Sequence, residues 1–242
     1  MDEVTLLETR GLTRRFGGLT AVDAVDFRLN RGEVRAIIGP NGAGKSTFVG
    51  LLSGLIAPGA GSIAFDGQDI TRMPAHRRVR AGIAYTFQIT NIYPAMTVLE
   101  NAAIAAQSRL GTGSEAAIEA AARAALAAVG LADLEPRRAG DLAYGHQRLV
   151  EVAMGLALAP KLLILDEPTQ GLSDAEIANF IAVIRRVAAS ATVLLIEHNM
   201  DVVMALAGRI TVMENGRILA EGPPDQITRD PAVQAAYLGG AS

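Results

Sequence analysis

Gly39-Pro40-Asn41-Gly42-Ala43-Gly44-Lys45-Ser46-Thr47 fits the phosphate-loop pattern G-x-x-x-x-G-K-[ST]. Before it, Val34-Arg35-Ala36-Ile37-Ile38 reads as a buried strand. After it, Phe48-Val49-Gly50-Leu51-Leu52 reads as the continuation of a helix. Strand, loop and helix are the context the motif needs. Its glycines let backbone N–H groups crowd around phosphate oxygens, and the helix amino end adds positive potential. In such a loop Lys45 reaches the β/γ-phosphates and the Ser46 hydroxyl ligates Mg²⁺. Of 22 basic residues only Lys45 and Lys161 are lysine, so one of the two sits inside the loop.

Working outward, 242 residues suffice for one large domain or two smaller lobes, and with half of them hydrophobic a sizeable core can be buried. The net charge of −3 and the lack of any basic run argue against a nucleic-acid surface. No cysteine is present, which excludes disulfides and thiolate metal sites and fits a reducing compartment. Met1-Asp2-Glu3-Val4 lacks the basic-then-apolar pattern of a signal peptide. No apolar run approaches ~18 residues, so no membrane span is expected. The mean hydropathy of +0.28 owes much to alanine. An apolar surface that docks on a partner is the other source considered.

Val25, Phe27 and Leu29 alternate as one face of a strand, and Asp66-Gly67 and Asn215-Gly216 are hairpin-turn dipeptides. The chain therefore opens with antiparallel strands. From about residue 100 to 160 it becomes Ala-rich, with helical spacing at Ile118, Ala122, Leu126 and Val129, stopped by Gly130. Leu162-Leu163-Ile164-Leu165 and Thr192-Val193-Leu194-Leu195-Ile196 return to buried strands. Between them lies an amphipathic helix with Ile177, Phe180, Ile181, Ile184 and Val187 inward and Ser173 as its N-cap. Strand–helix–strand alternation implies a parallel sheet. The reading is α/β: a nucleotide-binding lobe with a helical insertion near residues 89–158.

Further chemistry clusters at strand ends. Asp166-Glu167 closes an apolar strand. In a phosphate-loop ATPase the first carboxylate holds Mg²⁺ through water, and the second polarises the attacking water as general base. Ile196-Glu197-His198-Asn199 places His198 just past another buried strand, where it suits either a γ-phosphate hydrogen bond or a surface position. Gln88 ends Ala84-Tyr85-Thr86-Phe87-Gln88 and suits a water-bridged Mg²⁺ ligand or an exposed loop. Phe16, before Gly17-Gly18, suits adenine stacking or a core position.

Taken in order, these residues resemble the ATP-binding subunits of ABC transporters over essentially the whole chain. The resemblance implies a P-loop ABC-type ATPase core with an N-terminal antiparallel β subdomain and a helical subdomain insertion. It divides the single domain 1–242 into a core of 1–88 and 159–242, with a C-terminal tail, and a helical subdomain of 89–158. It makes Phe16 the adenine-stacking aromatic, Gly39 to Thr47 Walker A, Gln88 the Q-loop, Asp166 and Glu167 Walker B, and His198 the H-loop. Gly171-Leu172-Ser173-Asp174 becomes the D-loop, with Asp174 its acid. Leu142-Ala143-Tyr144-Gly145-His146-Gln147 becomes the signature that touches ATP across a dimer. Thr86-Phe87-Gln88, Leu142 to Gly145 and the tail from Asp230 to Gly239 are similar to branched-chain amino-acid importers, nearer the LivG-type than the LivF-type subunit. Urea importers share several of these features.

The resemblance implies ATP and Mg²⁺ as ligands, with Mg²⁺ held by Ser46, Gln88 and Asp166, and Lys45, Gln88, Glu167 and His198 catalytic. Implied partners are a second ATP-binding subunit, identical or different, two transmembrane permeases and, indirectly, a solute-binding protein. The implied place is the cytoplasmic face of the inner membrane, attached peripherally, with Ile92-Tyr93-Pro94 as the loop that meets the permease. Three departures stand out: Ala143 replaces the signature Ser, His146 its Gln, and Met154 an Arg that follows. They motivate a second reading, a nucleotide-dependent regulatory module with little turnover. Asp166, Glu167 and His198 argue for turnover. A soluble ABC ATPase acting on DNA or ribosomes needs a long coiled-coil insertion or a tandem ATPase domain, and the sequence contains neither.

Overall fold

The computed structural model describes residues 4–86, 91–111 and 113–238, so Gln88 lies outside the described residues. In chain order come β1 (Thr5–Phe16), β2 (Leu19–Asn30), β3 (Val34–Ile38), α1 (Lys45–Ser53), β4 (Ala60–Phe65), β5 (Gln68–Asp69), α2 (Ala75–Ala81), β6 (Ile83–Thr86), α3 (Val98–Leu110), α4 (Glu115–Val129) and α5 (Tyr144–Ala157). There follow β7 (Leu162–Asp166), α6 (Asp174–Ala188), β8 (Thr192–Ile196), α7 (Met200–Leu206), β9 (Arg209–Glu214), β10 (Arg217–Gly222), α8 (Pro224–Ile227) and α9 (Pro231–Leu238). The chain forms two compact units, residues 1–78 with 192–242, and residues 79–191.

The first unit holds an antiparallel sheet in the order β2-β1-β4-β5. Val25, Phe27 and Leu29 of β2 are buried while Asp26 and Arg28 face out, the alternation that strand geometry dictates. Its second layer pairs β3 parallel to both β8 and β9, with β10 returning antiparallel on β9. Asn215-Gly216 makes that β9–β10 turn, and Asp66-Gly67 the β4–β5 turn. Ala36 and Ile38 of β3 pack with Ile210 and Val212 of β9 and with Val203, Ile227 and Val233 from the helices that follow. Phe27 meets Phe48 of α1 edge-on, with ring centroids 5.4 Å apart. This contact locks the helix behind the phosphate loop onto the antiparallel sheet.

The second unit pairs β6 parallel to β7 and carries α3, α4, α5 and α6. Residues 89–158 lie within this unit, which also takes in β6, β7 and α6. Ala122, Ala125, Leu126 and Val129 form the buried face of α4, which ends at Gly130. On α6 the buried face is Phe180, Val183, Ile184 and Val187, with Ile177 and Ile181 at its margin. Ser173 caps α6 as the sequence implies. Its backbone N–H donates to Glu176 Oε2 at 2.9 Å, and its hydroxyl donates to the same oxygen at 2.7 Å. The other Glu176 oxygen accepts the N–H of Gly145 at 3.1 Å. One carboxylate thus serves the amino ends of two helices, and α5 needs it because its own N-cap is Ala143.

Arg78 is a fully buried charge that the sequence did not announce. Its guanidinium donates to the carbonyls of Leu51, Leu52, Ile70, Thr71 and Met73. Burial lowers its pKa to about 10, so it stays charged at neutral pH. Arg78→Met should cost about 3 kcal/mol or more in urea denaturation, because several buried carbonyls lose their donor at once. A loss below about 1 kcal/mol would mean that water replaces the guanidinium.

Glu176 generates a second prediction. Hydrogen bonds from the Ser173 backbone and hydroxyl, then from Gly145, with His146 nearby, hold its carboxyl below the ordinary 4.5. A depressed folded pKa contributes stability above pH 4.5 that is lost as the pH falls through the folded value. Glu176→Gln should therefore flatten the acid limb of stability against pH, read by urea midpoints. Parallel limbs for the two proteins would show that the carboxylate contributes nothing.

Candidate nucleotide site

The phosphate loop leaves β3 at Gly39 and enters α1 at Lys45. Two glycines seat it. A Cβ on Gly39, at φ 154°, would overlap the Met213 carbonyl oxygen of β9. A Cβ on Gly44, at φ 96°, would overlap the Ala21 carbonyl oxygen of β2. The β9–β10 turn closes over the loop: Gly216 N–H donates to the Ala43 carbonyl at 3.0 Å, and Asp23 N–H donates to the Gly216 carbonyl at 2.8 Å. Sequence reading identified that turn as a hairpin but not as a support for the loop.

Gly44, the N-cap of α1, has no side chain to cap the helix, so the amino end is left to an anion. Lys45 is buried, with Nζ donating to the carbonyls of Gly39 at 2.7 Å and Pro40 at 3.0 Å. Ser46 is exposed on the first helical turn, and Asn41 and Gly42 are exposed at the loop tip. This donor set fits a polyphosphate. Phe16 ends β1 with 44% of its surface exposed, and the Arg14 guanidinium lies 4.7 Å from its ring centroid. Of its two sequence readings, the core position is excluded.

His198 follows β8 and is exposed. Its loop is organised by Glu197, a buried carboxylate that sequence reading passed over. Glu197 Oε2 accepts the backbone N–H of His198 at 3.1 Å and of Asn199 at 3.2 Å. A buried acid directly after an apolar strand was the available signal. Asn199 in turn caps α7 through the N–H of Asp201 at 3.0 Å.

In the second unit, Leu162 to Leu165 of β7 are fully buried and deliver Asp166, which is 5% exposed, and Glu167. Tyr85 of β6 donates its hydroxyl to Asp166 Oδ2 at 2.7 Å. Burial, and then the Asp166 carboxylate, push the phenol pKa far above its ordinary range, so it remains a donor. Glu167 is partly exposed and left-handed at φ 46°. A non-glycine residue there stores about 1–3 kcal/mol of strain. Its carbonyl accepts from Arg148 Nη2 at 3.4 Å, and Arg148 is itself paired with Glu151 at 2.8 Å. Sequence reading singled out neither Tyr85, Arg148 nor Glu151 as parts of this cluster. Among the described residues no group of three or more His, Asp or Glu side chains gathers to hold a metal. The buried Asp166 carboxylate has the oxygen-donor chemistry that a divalent cation such as Mg²⁺ takes.

The signature segment runs into α5. Leu142 and Gly145 are buried, while Ala143, Tyr144 and His146 are exposed and Gln147 is partly so. Gly145 is required because a Cβ there would overlap the Glu176 carboxylate. The same carboxylate engages the Gly145 N–H at 3.1 Å, so within the chain that amide already has a partner. Asp174 is exposed at the first position of α6. Tyr93 is 51% exposed, and Asn101, fully buried on α3, clamps the backbone on either side of its ring. Tyr93 N–H donates to Asn101 Oδ1 at 2.7 Å, and Asn101 Nδ2 donates to the Tyr93 carbonyl at 3.0 Å. Gly140 N–H donates to the Pro94 carbonyl at 2.9 Å, two residues before Leu142.

Residues 22–170 match the family described as "ABC transporter", and residues 217–242 match "Branched-chain amino acid ATP-binding cassette transporter". The chain is 40% identical over 251 residues to the high-affinity branched-chain amino acid transport ATP-binding protein BraF of Pseudomonas aeruginosa, covering 98% of each. It is 40% identical over 252 residues to LivG of Escherichia coli K12, again covering 98% of each. Among solved structures, the ADP conformation of the ATP-binding cassette MJ1267 superposes with a TM-score of 0.87 at 30% identity, over 98% of this chain and 99% of that one. CbiO1 of Clostridium perfringens superposes at 0.85 and 26% identity, over 98% and 100%. The phosphate loop, the α/β fold and these likenesses agree: the chain belongs to the ABC transporter family, as an ATP-binding and ATP-hydrolysing subunit.

Proposed function

We propose that this subunit powers import of branched-chain amino acids, the solutes named for BraF and LivG. The observation that carries turnover, rather than passive binding, is the strained Glu167 at the end of β7. Lys45 and the N–H groups at the start of α1 bind the β/γ-phosphates, and Phe16 stacks on adenine. Ser46 and, through water, Asp166 would hold Mg²⁺, with Gln88, outside the described residues, as a further ligand. Bound there, the ion supplies charge neutralisation for the phosphates. Glu167 orients water and takes its proton during in-line attack on the γ-phosphate, while Lys45 and His198 stabilise the developing charge. ADP and phosphate leave.

Two subunits, identical or different, sandwich ATP, each offering its Leu142–Gln147 segment and its D-loop Asp174 to the other. Ala143 brings no hydroxyl, so that contact rests on backbone groups and on Tyr144 and His146. The subunit sits peripherally on the cytoplasmic face of the cell membrane, bound to two permeases. No helix among the described residues is long and apolar enough to cross a membrane. The exposed Tyr93-Pro94 loop meets the permease. The Gly140–Pro94 hydrogen bond offers a short covalent and hydrogen-bonded route from this loop to the signature helix.

Glu167→Gln tests hydrolysis. The variant should bind ATP, turn over slower by roughly 10²-fold or more, and accumulate as an ATP-stabilised dimer on size exclusion. Parental turnover would assign the base elsewhere. Tyr93→Ala tests coupling. It should leave the isolated subunit's ATPase intact and depress amino-acid uptake by the assembled importer in proteoliposomes. Normal uptake and normal assembly would move the contact to another surface.

A further inference from the structure

β6 and β7 run parallel in a register that sets Tyr85 opposite Ile164 and Thr86 opposite Leu165. Side chains alternate along a strand, so Ile164 and Asp166 share one face of β7. Tyr85, in register with Ile164, faces the same way. Its ring spans the two-residue step to Asp166, and the hydroxyl donates to Oδ2 at 2.7 Å. A phenol has only two side-chain torsions, and this one is half-buried on a strand whose flanking Ala84 and Thr86 are buried. The carboxylate is buried too, so its orientation depends on the donors around it. The phenol donates to the one carboxylate on β7.

We propose that Tyr85 is a positioning residue that fixes the Asp166 carboxylate for a divalent cation; this rests on the assignment of Asp166 to the metal given above. Outer groups that orient the residues around a metal typically change its affinity by about 10–100-fold. The phenol acts through Asp166 and is not among the groups assigned above to ATP, so its effect should appear in metal affinity before it appears in ATP affinity.

The test uses the full-length protein and Mn²⁺ as a paramagnetic probe, titrated by EPR with a non-hydrolysable ATP analogue bound. Tyr85→Phe removes one oxygen and should weaken Mn²⁺ binding roughly 10-fold. Analogue affinity measured in EDTA should match the parent, as should the melting curve. In an Asp166→Asn background, adding Tyr85→Phe should weaken Mn²⁺ binding no further, because the effect runs through that carboxylate. Parental Mn²⁺ affinity in Tyr85→Phe overturns the proposal. So does an equal further loss in the Asp166→Asn background, or loss of cooperative melting, which assigns the phenol to the fold alone. Parental Mn²⁺ affinity in Asp166→Asn by itself is a different failure, and overturns the assignment of Asp166 to the metal.

Discussion

Two glycines without side chains let three backbones meet. Gly39 lies against the carbonyl of Met213, and Gly44 against that of Ala21, while Gly216 bonds to Ala43 from the β9–β10 turn. Any side chain at 39 or 44 would push the loop off these supports. Carbonyls from β2 and β9 hem the loop in on either side. The rest of the first unit can be read as the frame for this clamp. Phe27 and Phe48 hold α1 to the antiparallel sheet, and β3 delivers the loop from a layer whose Ala36 and Ile38 are buried among apolar side chains.

The second unit solves a different problem, the presentation of two adjacent acids in different environments. Four fully buried apolar residues of β7, each contributing about 1.5–3 kcal/mol, outweigh the strain of one left-handed glutamate. Asp166 is drawn in and bonded to Tyr85, and Glu167 is turned toward solvent with its carbonyl held by Arg148. Adjacent residues on a regular strand would point to opposite faces. The break at Glu167 sets its direction independently of the pleat.

The phosphate loop, both hairpin turns, the α4 and α6 faces and the Ser173 cap were legible because each is a local pattern with a local cause. The Asp166-Glu167 pair was legible as chemistry, but its geometry was not. Tyr85 is about 80 residues away in sequence, and only the parallel register brings it to Asp166. Arg78 and Arg148 look like ordinary surface charges in the sequence. Their burial is decided by which carbonyls and N–H groups the tertiary fold leaves in need of a partner, and one sequence carries no local sign of that. The double use of Glu176 was hidden for the same reason: its bond to Ser173 is local, and its bond to Gly145 crosses 31 positions.

Asn101 holds the backbone of Tyr93 and ignores its ring. The shape of that loop is thus written on α3, by a residue with no surface of its own, while its exposed chemistry is written at positions 93 and 94. Mutational drift can exchange the aromatic ring for another group without refolding the loop. Selection for a new neighbour then acts on a surface already held in place, and a lineage can change what it docks against through single substitutions while its nucleotide chemistry stays constant.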